Sequence, residues 1–381
     1  MNPGLEKKTK KHNLLKRNKT KKRPDVLLLS HRTPEKIVKI SEEINNNSLI
    51  KSSYSPSINK DLVSLKSIER KEVLNCNNER AFLLKAPLKI GVPNASGKKT
   101  CYLYNDPVAK KFLLKNLKAN KHVNPNQVVP PIQELANCWF NTMFVSLFIS
   151  DKGRKFFHFL RQMMIEGKQK GGNPIPEVLR DGFALFNYAI DACLTGNKYA
   201  YVLNTNAIIQ QIYDSVPKDY RAYIRDVDEA GNPVRYYLSL INYLGNRNLR
   251  VLFVQDCGPS WHFQVQDKLD THLPDVIILE FFNDDEPTPN KETNFTMNGA
   301  KYVLDSCIIR DTERNHFSSL LTCEKKEMAY DGMSFHRLTY MDWKDKINAD
   351  FKWQFKGSKD EGRLLTWNFS KGYYMLIYYR V

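Results

Sequence analysis

Paired cysteines are missing from this 381-residue chain. Its seven thiols (Cys76, Cys101, Cys138, Cys193, Cys257, Cys307 and Cys323) are scattered, with no CxxC pair among them. That excludes a zinc ribbon and gives no sign of a secreted disulfide framework, so reduced, individually placed thiols are expected. Long hydrophobic runs are missing too. No stretch approaches the roughly 20 apolar residues that span a bilayer, and the charged N-terminus has no apolar core of signal-peptide length. The expectation is a soluble intracellular protein, in cytoplasm or nucleus, with no membrane partner. A complete nucleotide motif is also lacking. Gly97-Lys98-Lys99-Thr100 ends like a phosphate-binding loop but has no first glycine at the required spacing. No internal repeat is visible, and no cofactor or metal site is expected.

The chain does carry charge, unevenly placed. The formal net charge is +17, and residues 1–24 hold ten Lys or Arg against Glu6 alone. Such a block repels itself and binds phosphate or acidic surfaces through salt-sensitive contacts, so nucleic acid is a candidate partner for residues 1–24. Residues 25–80 stay rich in Ser, Asn and Lys with short apolar islands. Residues 1–80 therefore read as a basic, mostly disordered tail and linker. Residues 81–130 read as a small extension packed on the main domain: a strand over Ala81–Ile90, a second over Thr100–Tyr104, and a helix over Pro107–Leu117 with proline at its start.

The main domain, 131–381, is organised around Cys138. Trp139, Phe140, Met143, Phe144, Leu147 and Phe148 recur at helical spacing, so the thiol sits where a buried helix begins. The positive end of the backbone dipole and its unpaired N–H groups favour a developing anion there. A lone buried cysteine is otherwise an ordinary packing residue. An α-rich stretch follows: an apolar patch over Phe156–Met163, a break at Gly171-Gly172-Asn173-Pro174, and helices over Val178–Leu194 and Thr205–Val216. From Val234 the pattern changes towards strands, over Tyr236–Leu240, Leu249–Val254, Val276–Phe282, Tyr302–Arg310, Phe317–Cys323 and Tyr373–Tyr379. Helices followed by an antiparallel sheet predict an α+β protein. Residues 333–371, with Trp343, Trp353, Phe355 and Trp367, read as an inserted subdomain whose aromatic residues form a core, with a substrate-recognition surface as the second reading.

A thiol nucleophile needs a base. Of eight histidines, His12 and His31 lie in the tail and His122 and His158 flank the central helix, leaving His262, His272, His316 and His336. His316 stands at a strand junction, and fifteen residues on, Asp331 ends another short strand or turn. Two adjacent antiparallel strands would bring them side by side. Imidazole would then take the thiol proton while the carboxylate fixes its tautomer. His262, after Cys257-Gly258-Pro259-Ser260-Trp261, is the rival base, ranked lower because no acidic block follows it at a comparable spacing.

These blocks, in this order, resemble the ubiquitin-specific proteases, a papain-like cysteine peptidase family. Gln133, Cys138, Trp139, Phe140, Asn141 and Thr142 are similar to its Cys box. Leu273-Pro274 before Val276-Ile277-Ile278-Leu279, Tyr302-Val303-Leu304 before His316-Phe317, Tyr330-Asp331, and Tyr374–Tyr379 are similar to its later blocks. Cysteine before histidine separates the chain from SUMO-specific and adenovirus-type proteases. Glu134-Leu135-Ala136-Asn137 replaces the family's usual glycines ahead of Cys, Asn315 stands for its Gly before His, and its CxxC zinc element is absent. The resemblance implies a papain-like fold with a helical lobe led by the Cys helix and an antiparallel β lobe carrying His and Asp. It implies a catalytic triad of Cys138, His316 and Asp331, with Gln133 at the oxyanion. The substrate implied is ubiquitin or a ubiquitin-like protein conjugate with a flexible Gly-Gly tail. Two other classes stand beside it: a cysteine protease processing viral or cellular precursors, and a non-catalytic ubiquitin-like-binding module. The basic arm and the Asn/Lys-rich composition suggest a large DNA virus or a protist as the source, with host cell or virion as the corresponding location.

Overall fold

The computed structural model describes residues 27–29, 88–119, 122–169, 171–196, 200, 205–244, 250–269, 272–283, 290–313, 316–334 and 337–381. The basic tail, most of the linker, the start of the strand expected over Ala81–Ile90, and His12, His31 and His336 lie outside the described residues. In chain order, β1 (Leu27–Leu29) precedes a hairpin of β2 (Lys89–Pro93) and β3 (Lys99–Leu103), and then α1 (Pro107–Ala119). The helical lobe follows: α2 (Cys138–Phe148), α3 (Asp151–Phe156), α4 (His158–Glu166), α5 (Arg180–Thr195), α6 (Asn206–Ser215) and α7 (Pro233–Tyr243). Then come β4 (Val251–Val254), α8 (Trp261–Asp267), β5 (Val276–Asn283), β6 (Asn294–Met297), β7 (Ala300–Arg310), β8 (Phe317–Cys323) and β9 (Lys326–Tyr330). The chain closes with β10 (Thr339–Tyr340), β11 (Lys352–Phe355), β12 (Lys359–Asp360), β13 (Arg363–Leu364), β14 (Trp367–Asn368) and β15 (Gly372–Arg380).

The protein is α+β, and two expectations need correction. Tyr236–Leu240 is the middle of α7, not a strand. Asn232 caps that helix through its side chain, which accepts from the Val234 and Arg235 N–H groups, and Pro233 takes the first helical position, where its missing N–H costs nothing. The aromatic run that suggested a strand is the helix's buried face. The main sheet, in order β10-β9-β8-β7-β15-β5-β4, is antiparallel except at its edge, where β4 pairs parallel with β5. The connection between those two strands carries α8, as a crossover between parallel neighbours requires.

Alternation along the strands divides the molecule into layers. Met375, Ile377 and Tyr379 of β15 face the helices, with Trp139, Phe140, Phe144 and Phe148 of α2 in the same core. Tyr374, Leu376 and Tyr378 face the other way, into a second core shared with Trp261, Trp343, Trp353 and Trp367. The aromatic residues of 333–371 thus cover the sheet's second face. Within that stretch β11 pairs with β14 on one side and, in parallel, with β1 on the other.

Candidate active site

All eleven residues of α2 are buried, so the helix runs through the protein with its N-terminus at the cleft. Asn137 precedes it, yet its side chain does not cap the first turn. Instead Asn137 donates to Thr205 Oγ1 at 3.0 Å, and Asn141 Nδ2 donates to the Ile132 carbonyl at 3.0 Å. These polar side chains are used to hold the loop before Cys138, and no side chain occupies the N–H groups beginning at the thiol. Nothing in their local sequence marks Asn137 or Thr205 for this role; Asn141 belongs to the Cys box.

Two strands deliver the histidine and the aspartate. The β8–β9 hairpin turns at Glu324 and Lys325, both at positive φ (48° and 61°), and pairs Ser319 with Tyr330. Such a two-residue turn matches the twist of antiparallel strands and usually recruits glycine or asparagine, which this one lacks. His316 directly precedes β8 and Asp331 directly follows β9, so both stand at one end of the sheet. The inner face of β8 packs on α2, where Ser319 Oγ and Ser146 Oγ lie 2.7 Å apart. Cys138 and its two candidate partners thereby converge from three elements.

His316 is held on several sides. Its backbone N–H donates to Asp311 Oδ1 at 2.7 Å, its ring meets the Trp367 ring at 5.9 Å in a T-shaped arrangement, and its Nε2 is hydrogen-bonded to Asp331 Oδ1. Burial pushes the imidazolium's pKa down, but the charge and hydrogen bond of Asp331, together with the adjacent Cys138, outweigh it and leave the pKa raised. Nδ1 is buried and has no partner within hydrogen-bond geometry among the described residues. It is the ring nitrogen that Asp331 does not use, and the Cys138 side chain is near enough to help raise the pKa of the ring. Trp367, one of the aromatic residues of the insertion, packs against this ring.

Gln133 joins the two loops. Its backbone N–H donates to the Gly332 carbonyl at 2.9 Å, and a Cβ on Gly332 would come within 3.1 Å of the Gln133 Cβ and 2.9 Å of the Tyr330 hydroxyl. The absence of a side chain at 332 is what lets the loops meet. Gln133 Nε2 donates to the Leu135 carbonyl at 3.2 Å, which leaves its second N–H unspent.

The cleft, about 530 Å³, runs between the lobes. Gln133, Ala136, Cys138, Trp139 and Gly231 line the helical wall; Glu280, Phe282, Arg310, Phe317 and Tyr373 line the sheet wall. The Trp139 indole donates to the Glu229 carbonyl and lies so close over Gly231 that a Cβ there would sit 2.5 Å from the ring. Opposite, the Arg310 guanidinium stacks 4.8 Å over the Tyr373 ring, whose hydroxyl donates to Glu280. Burial, then the Glu280 carboxylate, raise the Tyr373 pKa, so the phenol stays protonated. No group of His, Cys, Asp and Glu suited to a metal ion occurs among the described residues. No described helix is long and apolar enough to cross a membrane.

His262 is elsewhere. It stacks on Trp261 at 3.5 Å on α8, at the second core on the sheet's far face, with its Nε2 3.2 Å from Glu292.

No protein-family model and no curated protein matches the sequence. Similar solved structures include a SAGA DUB module with Ubp8 bound to monoubiquitin, 7% identical over 91% of this chain and 95% of that one, with a TM-score of 0.42. Such a module bound to ubiquitin aldehyde is 8% identical over 91% and 94%, with a TM-score of 0.38. An essential yeast splicing factor is 10% identical over 78% and 74%, also at 0.38. Likenesses this slight carry no argument about what the chain does.

Proposed function

We propose that the protein is a papain-like cysteine protease that cleaves the isopeptide or peptide bond after the C-terminal glycine of ubiquitin or a ubiquitin-like modifier. The observation that carries the chemistry is the His316 ring: Nε2 is taken by a buried carboxylate, and Nδ1 is left beside a thiol at a helix N-terminus. The modifier rests on the sequence resemblance, whose blocks run in family order from Gln133 to Tyr379.

In this reading Nδ1 takes the thiol proton first, favoured by the raised His316 pKa, and the Cys138 thiolate, paired with imidazolium, attacks the carbonyl carbon. The negative charge that develops on the carbonyl oxygen is met by the Cys138 backbone N–H and the second N–H of Gln133 Nε2. Imidazolium then protonates the leaving amine as the C–N bond breaks, giving a thioester. His316 next deprotonates a water that attacks this thioester, and returns the proton to sulfur. Asp331 holds the tautomer with its proton on Nε2 and stabilises the imidazolium.

The test is reaction with ubiquitin carrying a C-terminal electrophile, read by mass for wild type, Cys138→Ala and His316→Ala. An adduct on Cys138 that requires His316 supports the reading. Folded protein that forms no adduct with ubiquitin or related modifiers refutes it, in favour of precursor processing or a binding module.

A further inference from the structure

Leu135, three residues before the thiol, holds φ at 68°, in the left-handed region that glycine adopts freely and leucine seldom does. The residue is 62% exposed, so packing among the described residues does not explain why a large apolar side chain stands there. The backbone around it is pinned from both sides. Asn206 Nδ2 donates to the Glu134 carbonyl at 2.9 Å, Gln133 Nε2 donates to the carbonyl of Leu135 itself, and the Gln133 N–H is bound to Gly332. These bonds hold the strained conformation and turn the side chain outward.

Met333, next to Gly332 on the Asp331 loop, is 38% exposed, and Phe282 on the opposite cleft wall is 45% exposed. Large apolar side chains thus stand in water on both loops that meet at Gln133 and across the cleft from them. An apolar patch of this kind gains stability only when something covers it, and backbone strain kept beside a reactive group signals a functional demand.

We propose that Leu135 and Met333 form an apolar lip that seats an apolar side chain of the protein substrate close to the scissile bond, with Leu135 a specificity-determining residue. This rests on the proteolytic reading above. It adds that the substrate is selected by a hydrophobic contact at the lip as well as by the tail that enters the cleft. It also accounts for leucine where glycine would relax the backbone.

The test compares wild type with Leu135→Gly and Leu135→Asn, which both tolerate the left-handed conformation, and with Leu135→Met, which keeps an apolar chain. Each is reacted with the ubiquitin electrophile and with iodoacetamide, which reaches the same thiol without a protein surface. The half-saturating concentration of the protein probe should rise about tenfold or more for Gly and Asn, as expected when much of a leucine's burial is lost, and return most of the way for Met. The limiting rate and the iodoacetamide rate should stay within about twofold of wild type. Unchanged saturation in Gly and Asn overturns the lip, as does an equal loss in the iodoacetamide rate, which would make Leu135 purely structural. Wild type that reacts with iodoacetamide at Cys138 but not with the protein probe fails differently: the proteolytic reading falls there, and the lip with it.

Discussion

His316 and His262 make the same pairing, an imidazole nitrogen on a carboxylate, in opposite surroundings. The His262 side chain is 42% exposed and meets a half-exposed Glu292 at 3.2 Å, a pair that solvent screens and that contributes little. The His316 side chain is 4% exposed, its partner Asp331 is fully buried, and the Cys138 thiol is close enough to help raise its pKa. The difference teaches that residue types do not make a relay. Burial gives the carboxylate its leverage over the imidazole, and the second ring nitrogen has to face a nucleophile.

The sharpest way to break that comparison is to remove each imidazole. His316→Ala should lower kcat/KM on a ubiquitin-derived fluorogenic substrate by on the order of 10⁶, whereas His262→Ala should stay within about twofold. Comparable losses from both would reject the assignment of the base. Melting curves should accompany these assays, because His316→Ala leaves Asp331 buried without its partner.

Next in size is Asp331→Asn, expected to cost on the order of 10⁴ in turnover. Its pH profile is the more telling readout. The Asp331 charge raises the His316 pKa, so wild-type activity should persist into alkaline pH and fall only as the imidazolium loses its proton. Without that charge the alkaline limb should move to lower pH; a limb that stays put would mean the carboxylate does not control the ring.

The cleft wall offers a smaller effect. Gly231→Ala places a methyl 2.5 Å from the Trp139 ring and should destabilise the fold by about 1–3 kcal/mol, seen as a lower melting temperature. An unchanged melt would show that the loop has room to move off the indole.

Of the same order is a control on burial itself. Asp305 is as buried as Asp331 but has no imidazole. It accepts from the Lys152 N–H at 2.9 Å and the Gly153 N–H at 3.3 Å, at the start of α3. Burial raises its pKa from 3.8 to about 6, against the opposing bonds from Ser150 and Lys152. A raised carboxyl pKa means that the folded state holds the proton more tightly. The associated stability is complete below about pH 4 and is lost as pH rises through about 6, by at most about 3 kcal/mol. The stability of wild type relative to Asp305→Asn should therefore fall across that interval in denaturant titrations at fixed pH steps. A constant difference would show that the N–H donors fully compensate the burial.

Much of this arrangement was legible because it is local. Helical periodicity after Cys138, proline at the start of α1 and the strand patterns from Val276 onward each follow from side chains that repeat along one element. Tyr236–Leu240 misled because four of its five residues are aromatic or apolar, a run too short to separate strand from helix; the capping asparagine at 232 is the signal that separates them. Gln133 could be named as an oxyanion donor from its place in the Cys box, but not its bond to Leu135. The left-handed backbone at Leu135 has no marker in a leucine. Neither does the tight turn at Glu324-Lys325, which glycine or asparagine would have announced.

The order of residues by itself determined that a thiol opens a buried helix, that a histidine and an aspartate flank two neighbouring strands, and that aromatic residues fill a late insertion. Tertiary structure alone decided which histidine meets the thiol. It also decided that Asn137, Asn141 and Thr205 hold the loop, that Trp367 backs the imidazole, and that Gly332 lets two loops touch. The physical reason is range. Propensity and periodicity act within one helix or hairpin, while the site depends on contacts between residues nearly 200 positions apart, which exist only once two hydrophobic cores have closed on either face of one sheet.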